Sequence, residues 1–174
     1  MLALLETILD IIRLRKGPDA IPHSMLLLVV VVAFWLFVDV LGGLVVPQFG
    51  GLSASGLAIT LLGLVIFAMM ATLDGKNARM LRMLTAMIGC GAVFGLVLTL
   101  VLAVALRFQQ AQPVPLLALL LVWSVTLFSV VVDGHILSRT LERPRIHGVI
   151  AAFLVFALQF YLSAAFNPAP AGAA

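Results

Sequence analysis

Residues 25–46 read MLLLVVVVAFWLFVDVLGGLVV, an apolar run with a single charged residue, Asp39. At a rise of 1.5 Å per residue, a helix of this length extends about 33 Å, enough to cross a hydrocarbon core of about 30 Å. The run carries no polar stripe that could face water, so it predicts a transmembrane span rather than an amphipathic helix of a soluble core. Ser24, just before it, is placed to cap its first turn.

Four further runs of the same kind follow at 52–73, 83–106, 114–132 and 146–166. The composition agrees. Of the 174 residues, 64% are hydrophobic and 10% charged, against about 45–50% and about 25% in a soluble domain. The expected fold is all-α, a polytopic transmembrane bundle of five spans forming one domain over residues 1–166. Residues 167–174, rich in Asn, Pro, Ala and Gly, are expected to form a disordered tail. Five spans and short links use nearly all of this chain, which leaves no room for a soluble catalytic domain. The net charge of +3 lies beside the spans, where it sets orientation rather than pointing to nucleic acid.

Residues 1–17 are expected to form an amphipathic interfacial helix and its end. Glu6, Asp10 and Arg13 recur at i, i+4 and i+7 on one face, with Leu2, Leu5, Ile8, Leu9 and Ile12 over the rest. A helix over 2–14 is about 20 Å long, too short to span. It lies on the cytoplasmic surface or docks on the protein's own cytoplasmic end. Gly17-Pro18 stops it. The charges among its apolar residues, and the lack of a small-residue cleavage site, argue against a cleavable signal peptide.

Basic residues give the topology. With the N-terminus in the cytoplasm, the inside segments hold Arg13, Arg15, Lys16, Lys76, Arg79, Arg82, Arg139, Arg143 and Arg145, and the outside segments hold only Arg107. All three inside segments agree with the positive-inside rule. The expectation is a bacterial cytoplasmic membrane protein with its C-terminus outside.

Polar residues within spans carry the functional signal. Asp39 lies about 21 Å along the first span, in the outer half of the bilayer. A carboxylate there costs about 2.5–3.5 kcal/mol on the insertion scale and calls for a partner, a proton or a cavity. Arg107 can snorkel inward from the outer interface, and Thr60 and Thr99 fall at a similar depth. Gln159 is near the middle of the fifth span, with the hydroxyls of Ser124, Thr126 and Ser129 as expected partners. Gly91 and Gly95, with Gly89 nearby, permit close helix approach.

Two cytoplasmic ends look alike. Asp74-Gly75 follows the second span and Asp133-Gly134-His135 follows the fourth, each succeeded by two arginines and another span. The expected loop after the fourth span covers 133–145. Either the two hairpins are a parallel repeat, or they are independent Asp-Gly turns. In both cases the turns mark a candidate cytoplasmic surface for a partner or ligand.

Chemistry-bearing motifs are sparse. One cysteine, Cys90, sits inside a span and reads as a packing residue. His23, His135 and His147 have no metal-ligand spacing, and no phosphate loop or nucleophile elbow occurs. No cofactor and no enzymatic activity are expected.

Five spans, a cytoplasmic N-terminus, the Arg15-Lys16-Gly17-Pro18-Asp19 segment before the first span and the Asp133-Gly134-His135-Ile136 segment after Trp123 together resemble the Yip1-domain membrane proteins, in particular small bacterial members. The resemblance covers most of the chain in topology. It implies a non-enzymatic protein and supplies no catalytic residues. The long acidic cytoplasmic region and the Gly-Pro signature of the eukaryotic members are missing here. The function classes left by the sequence are a scaffold, assembly factor or accessory subunit of a membrane complex, and, as alternative, a small oligomeric transporter or channel with Asp39 in its pathway. The expected partners are the lipid bilayer and either further copies of the chain or another membrane protein.

Overall fold

The structure, a computed structural model, describes residues 2–45, 53–108 and 114–166. They form helix α1 (Leu2–Ile12), a short 3-10 turn (Pro18–Ala20), and five long helices: α2 (Met25–Val45), α3 (Ala54–Leu73), α4 (Asn77–Arg107), α5 (Val114–Leu141) and α6 (Arg145–Phe166). No strand occurs among the described residues. The expected uncharged linker after the first span, the body of the turn at 109–113 and the tail at 167–174 lie outside them.

All five long helices are long and apolar enough to cross a membrane. Their outward faces hold large apolar side chains open to the surroundings, such as Leu26, Phe37, Leu61, Val65, Leu100, Leu120, Leu154 and Tyr161. Lipid is the solvent that accepts such a surface. Ser24 caps α2, its hydroxyl accepting from Leu27 N–H at 3.3 Å, and Ser53 caps α3 through Gly56 N–H at 3.0 Å.

Helix boundaries exceed the expected spans at the start of α4 and the end of α5. α4 begins at Asn77 rather than 83, and α5 continues to Leu141 rather than ending at 132. Asp133-Gly134-His135 is therefore a stretch of continuous helix and not a turn, so the expected loop over 133–145 is corrected to the short connection Glu142–Pro144. Asp74-Gly75 is a turn, as expected. Gly75 takes φ +74°, Gly75 N–H bonds Thr72 O, and Lys76 N–H bonds Ala71 O. This closes α3 in the Schellman manner. The equivalent left-handed residue after α5 is Glu142, at φ 55°, where Arg143 N–H reaches back to Ser138 O. Leu14, at φ 60°, ends α1 the same way, with Arg15 N–H on Asp10 O. The two Asp-Gly dipeptides thus occupy different structures, and the resemblance between the hairpins does not extend to their turns.

α4 is the central helix, packed against α1, α2, α3 and α5, while α6 packs on α5 and α3. The core is concentrated in the half of the bundle that holds α1 and the α3–α4 and α5–α6 turns. It joins Ile8 and Ile11 of α1, Ile21, Phe67 and Ala71 of α3, Met83 to Cys90 of α4, Val132 to Leu137 of α5 and Ala152 of α6. α1 is docked rather than merely resting on lipid, since Ile8 and Ile11 are buried while Leu5 and Leu9 face outward. Two glycines set the α5–α6 crossing. A Cβ at Gly134 would sit 2.5 Å from the Val149 Cα, and one at Gly148 would strike the Gly134 carbonyl oxygen and lie 2.8 Å from Ser138 N.

Candidate functional site

Helix α5 carries Asp133 eight positions before its end at Leu141, about 12 Å from that end and about 9 Å inward of Arg139. The carboxylate thus lies within a helix long and apolar enough to cross a membrane, inward of that helix's charged end. The sequence places Asp133 in a candidate turn, because Asp-Gly is a common turn pair and basic residues begin nearby. The signal was the helical period: Val132, Ile136, Leu137 and Thr140 continue one buried face straight through the Asp-Gly pair.

Asp133 lines a cavity of about 220 Å³ together with Trp35 of α2, Thr60 and Gly63 of α3, Gly91 of α4 and Gln159 of α6. Five helices thus contribute. Gln159 is fixed by its amide Nε2, which donates to Ile59 O of α3 at 3.1 Å. Gly63 leaves room for that amide, because a Cβ there would collide with it. One N–H of the Gln159 amide is thereby committed, and its carbonyl oxygen has no hydrogen bond among the described residues. A Cβ on Gly91 would meet nothing within 4 Å. Among the described residues Asp133 has no ion-pair or hydrogen-bond partner.

The expected partners of the span residues are corrected by this arrangement. Ser124, Thr126 and Ser129 do not serve Gln159; they donate to carbonyls of their own helix, at Leu120, Val122 and Thr126. Thr99 likewise donates to Gly95 O at 2.9 Å. Thr60 faces the Asp133 cavity. Asp39 is partly buried one turn beyond Trp35 on α2. It forms no ion pair with Arg107, which is exposed at the end of α4, and no hydrogen bond with Thr60 or Thr99 among the described residues.

The end of the bundle that carries the α3–α4 and α5–α6 turns is a layer of ion pairs. Glu142 receives Lys76 and also Arg79, the latter at 2.7 Å. Asp74 receives Arg143 at 2.9 Å, and Asp10 receives Lys16 at 2.8 Å. The hydrogen bond from Lys76, with Arg79 beside it, holds the Glu142 carboxyl below its ordinary range. Asp10 is lowered and Lys16 raised by their mutual hydrogen bond. A depressed carboxylate contributes stability above its unfolded pKa and loses it as pH falls through the folded value. At these exposed positions the contribution is small. His135 is buried, and its Nε2 lies 3.1 Å from Lys16 O. A carbonyl only accepts, so Nε2 carries the proton, and the segment after α1 is tied to α5. Its Nδ1 is buried without a partner. Among the described residues no three His, Cys, Asp or Glu side chains converge as a metal group would require.

The five apolar helices define an integral membrane protein, with a cavity between them that Asp133, Thr60 and Gln159 line. No family model, curated protein or solved structure matches this chain.

Proposed function

We propose that the protein is a small non-enzymatic transporter whose solute or coupling ion occupies the cavity at Asp133. One observation carries this: a carboxylate on a helix apolar enough to cross a membrane, without a protein partner among the described residues, faces a cavity that Thr60 and Gln159 also line. Burial of such a group costs about 2.5–3.5 kcal/mol on the insertion scale. No contact of Asp133 repays that cost within the fold, and intramembrane acids of this kind characteristically mark ion or substrate paths. Asp133 replaces Asp39, the residue expected in the pathway of a transporter or channel. In purified protein reconstituted into liposomes, proton or monovalent-cation flux is expected, and Asp133→Asn is expected to reduce it at least about tenfold. Asp39→Asn should leave it within about twofold. Absence of wild-type flux, or equal flux in Asp133→Asn, removes the transporter reading.

A second reading, scaffold or accessory subunit, is favoured by the ion-paired cytoplasmic layer, which ties the α3–α4 turn to the α5–α6 turn. A stoichiometric partner recovered in mild detergent would support it. Either role suits a Yip1-like bacterial protein of the cytoplasmic membrane, with its N-terminus inside and its C-terminus outside. The basic-residue count supports that orientation. Reporter fusions after Lys76 and after Arg143 should therefore read as cytoplasmic, and a fusion after Gln110 as external. The connection at Arg143 is the better insertion point because Ser138 is buried in α5. A cytoplasmic reading at Gln110 would reverse the assignment.

A further inference from the structure

We propose that the Asp133 cavity is a binding site for a small primary ammonium ion, an alkyl chain of a few carbons ending in –NH3+. The proposal rests on the transporter reading and adds the ligand class to it. Four features of the cavity lead there. Its described lining contains no Lys, Arg or His, and one carboxylate, so it favours a cation and rejects an anion. A single carboxylate matches a single positive charge. A divalent cation instead requires six or more oxygen ligands, usually with several carboxylates.

Size comes next. The cavity of about 220 Å³ has room for roughly seven waters at about 30 Å³ each. A bare alkali ion would leave most of that space to water, whereas Trp35, Leu64, Phe67 and Met87 form walls that suit an alkyl chain. Hydrogen bonding then separates a primary from a quaternary ammonium. The Asp133 carboxylate, the Gln159 carbonyl, which accepts no hydrogen bond among the described residues, and the Thr60 hydroxyl are three acceptor groups. They match the three N–H donors of –NH3+ in number, and a quaternary ammonium has none to offer. The indole of Trp35 adds an aromatic face of the kind that attracts a cation.

Fluorescence of the purified full chain tests this. The protein has two tryptophans. Trp123 faces outward beside Phe160, so Trp123→Phe leaves Trp35 in the cavity wall as the sole fluorophore. Titration with n-propylammonium chloride should give a saturable change in Trp35 emission. Propanol and tetramethylammonium should give none, and potassium should not compete. In that background Asp133→Asn should weaken binding at least about tenfold. Gly91→Leu should do the same by filling the cavity while keeping the charge. It is the deciding variant if Asp133→Asn does not elute as folded protein. No saturable change with n-propylammonium, an equal response to tetramethylammonium, or binding unaffected by Gly91→Leu would overturn the proposal. Proton or potassium flux without n-propylammonium binding would overturn the ligand class while leaving the transporter reading in place. Saturable, Asp133-dependent binding without flux would support the ligand class and remove transport.

Discussion

Gly148→Ala should destabilise the folded protein by about 3 kcal/mol, at the upper end of the usual cost of overpacking. The added methyl would overlap the Gly134 carbonyl oxygen and come within 2.8 Å of both Ser138 N and Ser138 Cβ. Two of these obstacles are backbone atoms, so no side-chain rotation relieves the clash and α5 and α6 must move apart. Gly134→Ala should act similarly, since its methyl would lie 2.5 Å from Val149 Cα and 2.8 Å from Val149 N. The helix-propensity gain of Ala over Gly, about 1 kcal/mol, offsets only part of the loss. Gly91→Ala is the control. Its methyl enters open space, so the propensity gain should stand and stability should rise slightly. Unfolding midpoints in detergent or mixed micelles would measure all three. Wild-type midpoints for both Gly134→Ala and Gly148→Ala would show that the α5–α6 crossing is not held at this spacing.

That crossing also explains what the sequence made legible and what it hid. The five spans were legible because hydropathy reports where lipid begins and ends. It does not report where a helix ends, so the polar first turns of α4 and the polar end of α5 look like links between spans. Asp133-Gly134 satisfies two rules at once: a turn favours the pair, and a close helix contact favours the glycine. The buried period through Val132, Ile136, Leu137 and Thr140, together with the small Gly148 on the next helix, decides for the contact.

The polar site divides in the same way. Gln159, Thr60 and Asp39 were found because they interrupt apolar runs. Asp133 reads instead as a turn residue, because it stands at the edge of an apolar run. Their partners could not be read at all. A span hydroxyl can satisfy itself on the carbonyl one turn back, as Ser124, Thr126 and Thr99 do. The Gln159 amide cannot, and it crosses to a backbone carbonyl of α3 that no sequence pattern marks.

Ile11→Ala should cost about 3 kcal/mol, within the usual range of 2–5 kcal/mol for such a truncation in a packed core. Ile11 is fully buried, and Ile8 is 7% exposed, its Cδ1 lying 3.0 Å from where a Gly89 Cβ would be. Leu5 and Leu9 on the same helix are 49% and 37% exposed. A helix that only floated at the membrane surface would present these four residues to similar surroundings, and all four truncations would weaken it alike. Docking predicts asymmetry instead. Ile11→Ala opens a cavity against the α4–α5 core, whereas Leu5→Ala exchanges one lipid contact for another and should change stability by less than about 1 kcal/mol. The Lys16 carbonyl remains tied to His135 in both variants, so loss of α1 packing should appear first as local opening rather than global unfolding. Hydrogen exchange at the amides of α1, and tryptic cleavage at Arg13 and Arg15, would report that opening. Both should accelerate strongly in Ile11→Ala and little in Leu5→Ala; equal acceleration in the two variants would place α1 on lipid rather than on the bundle.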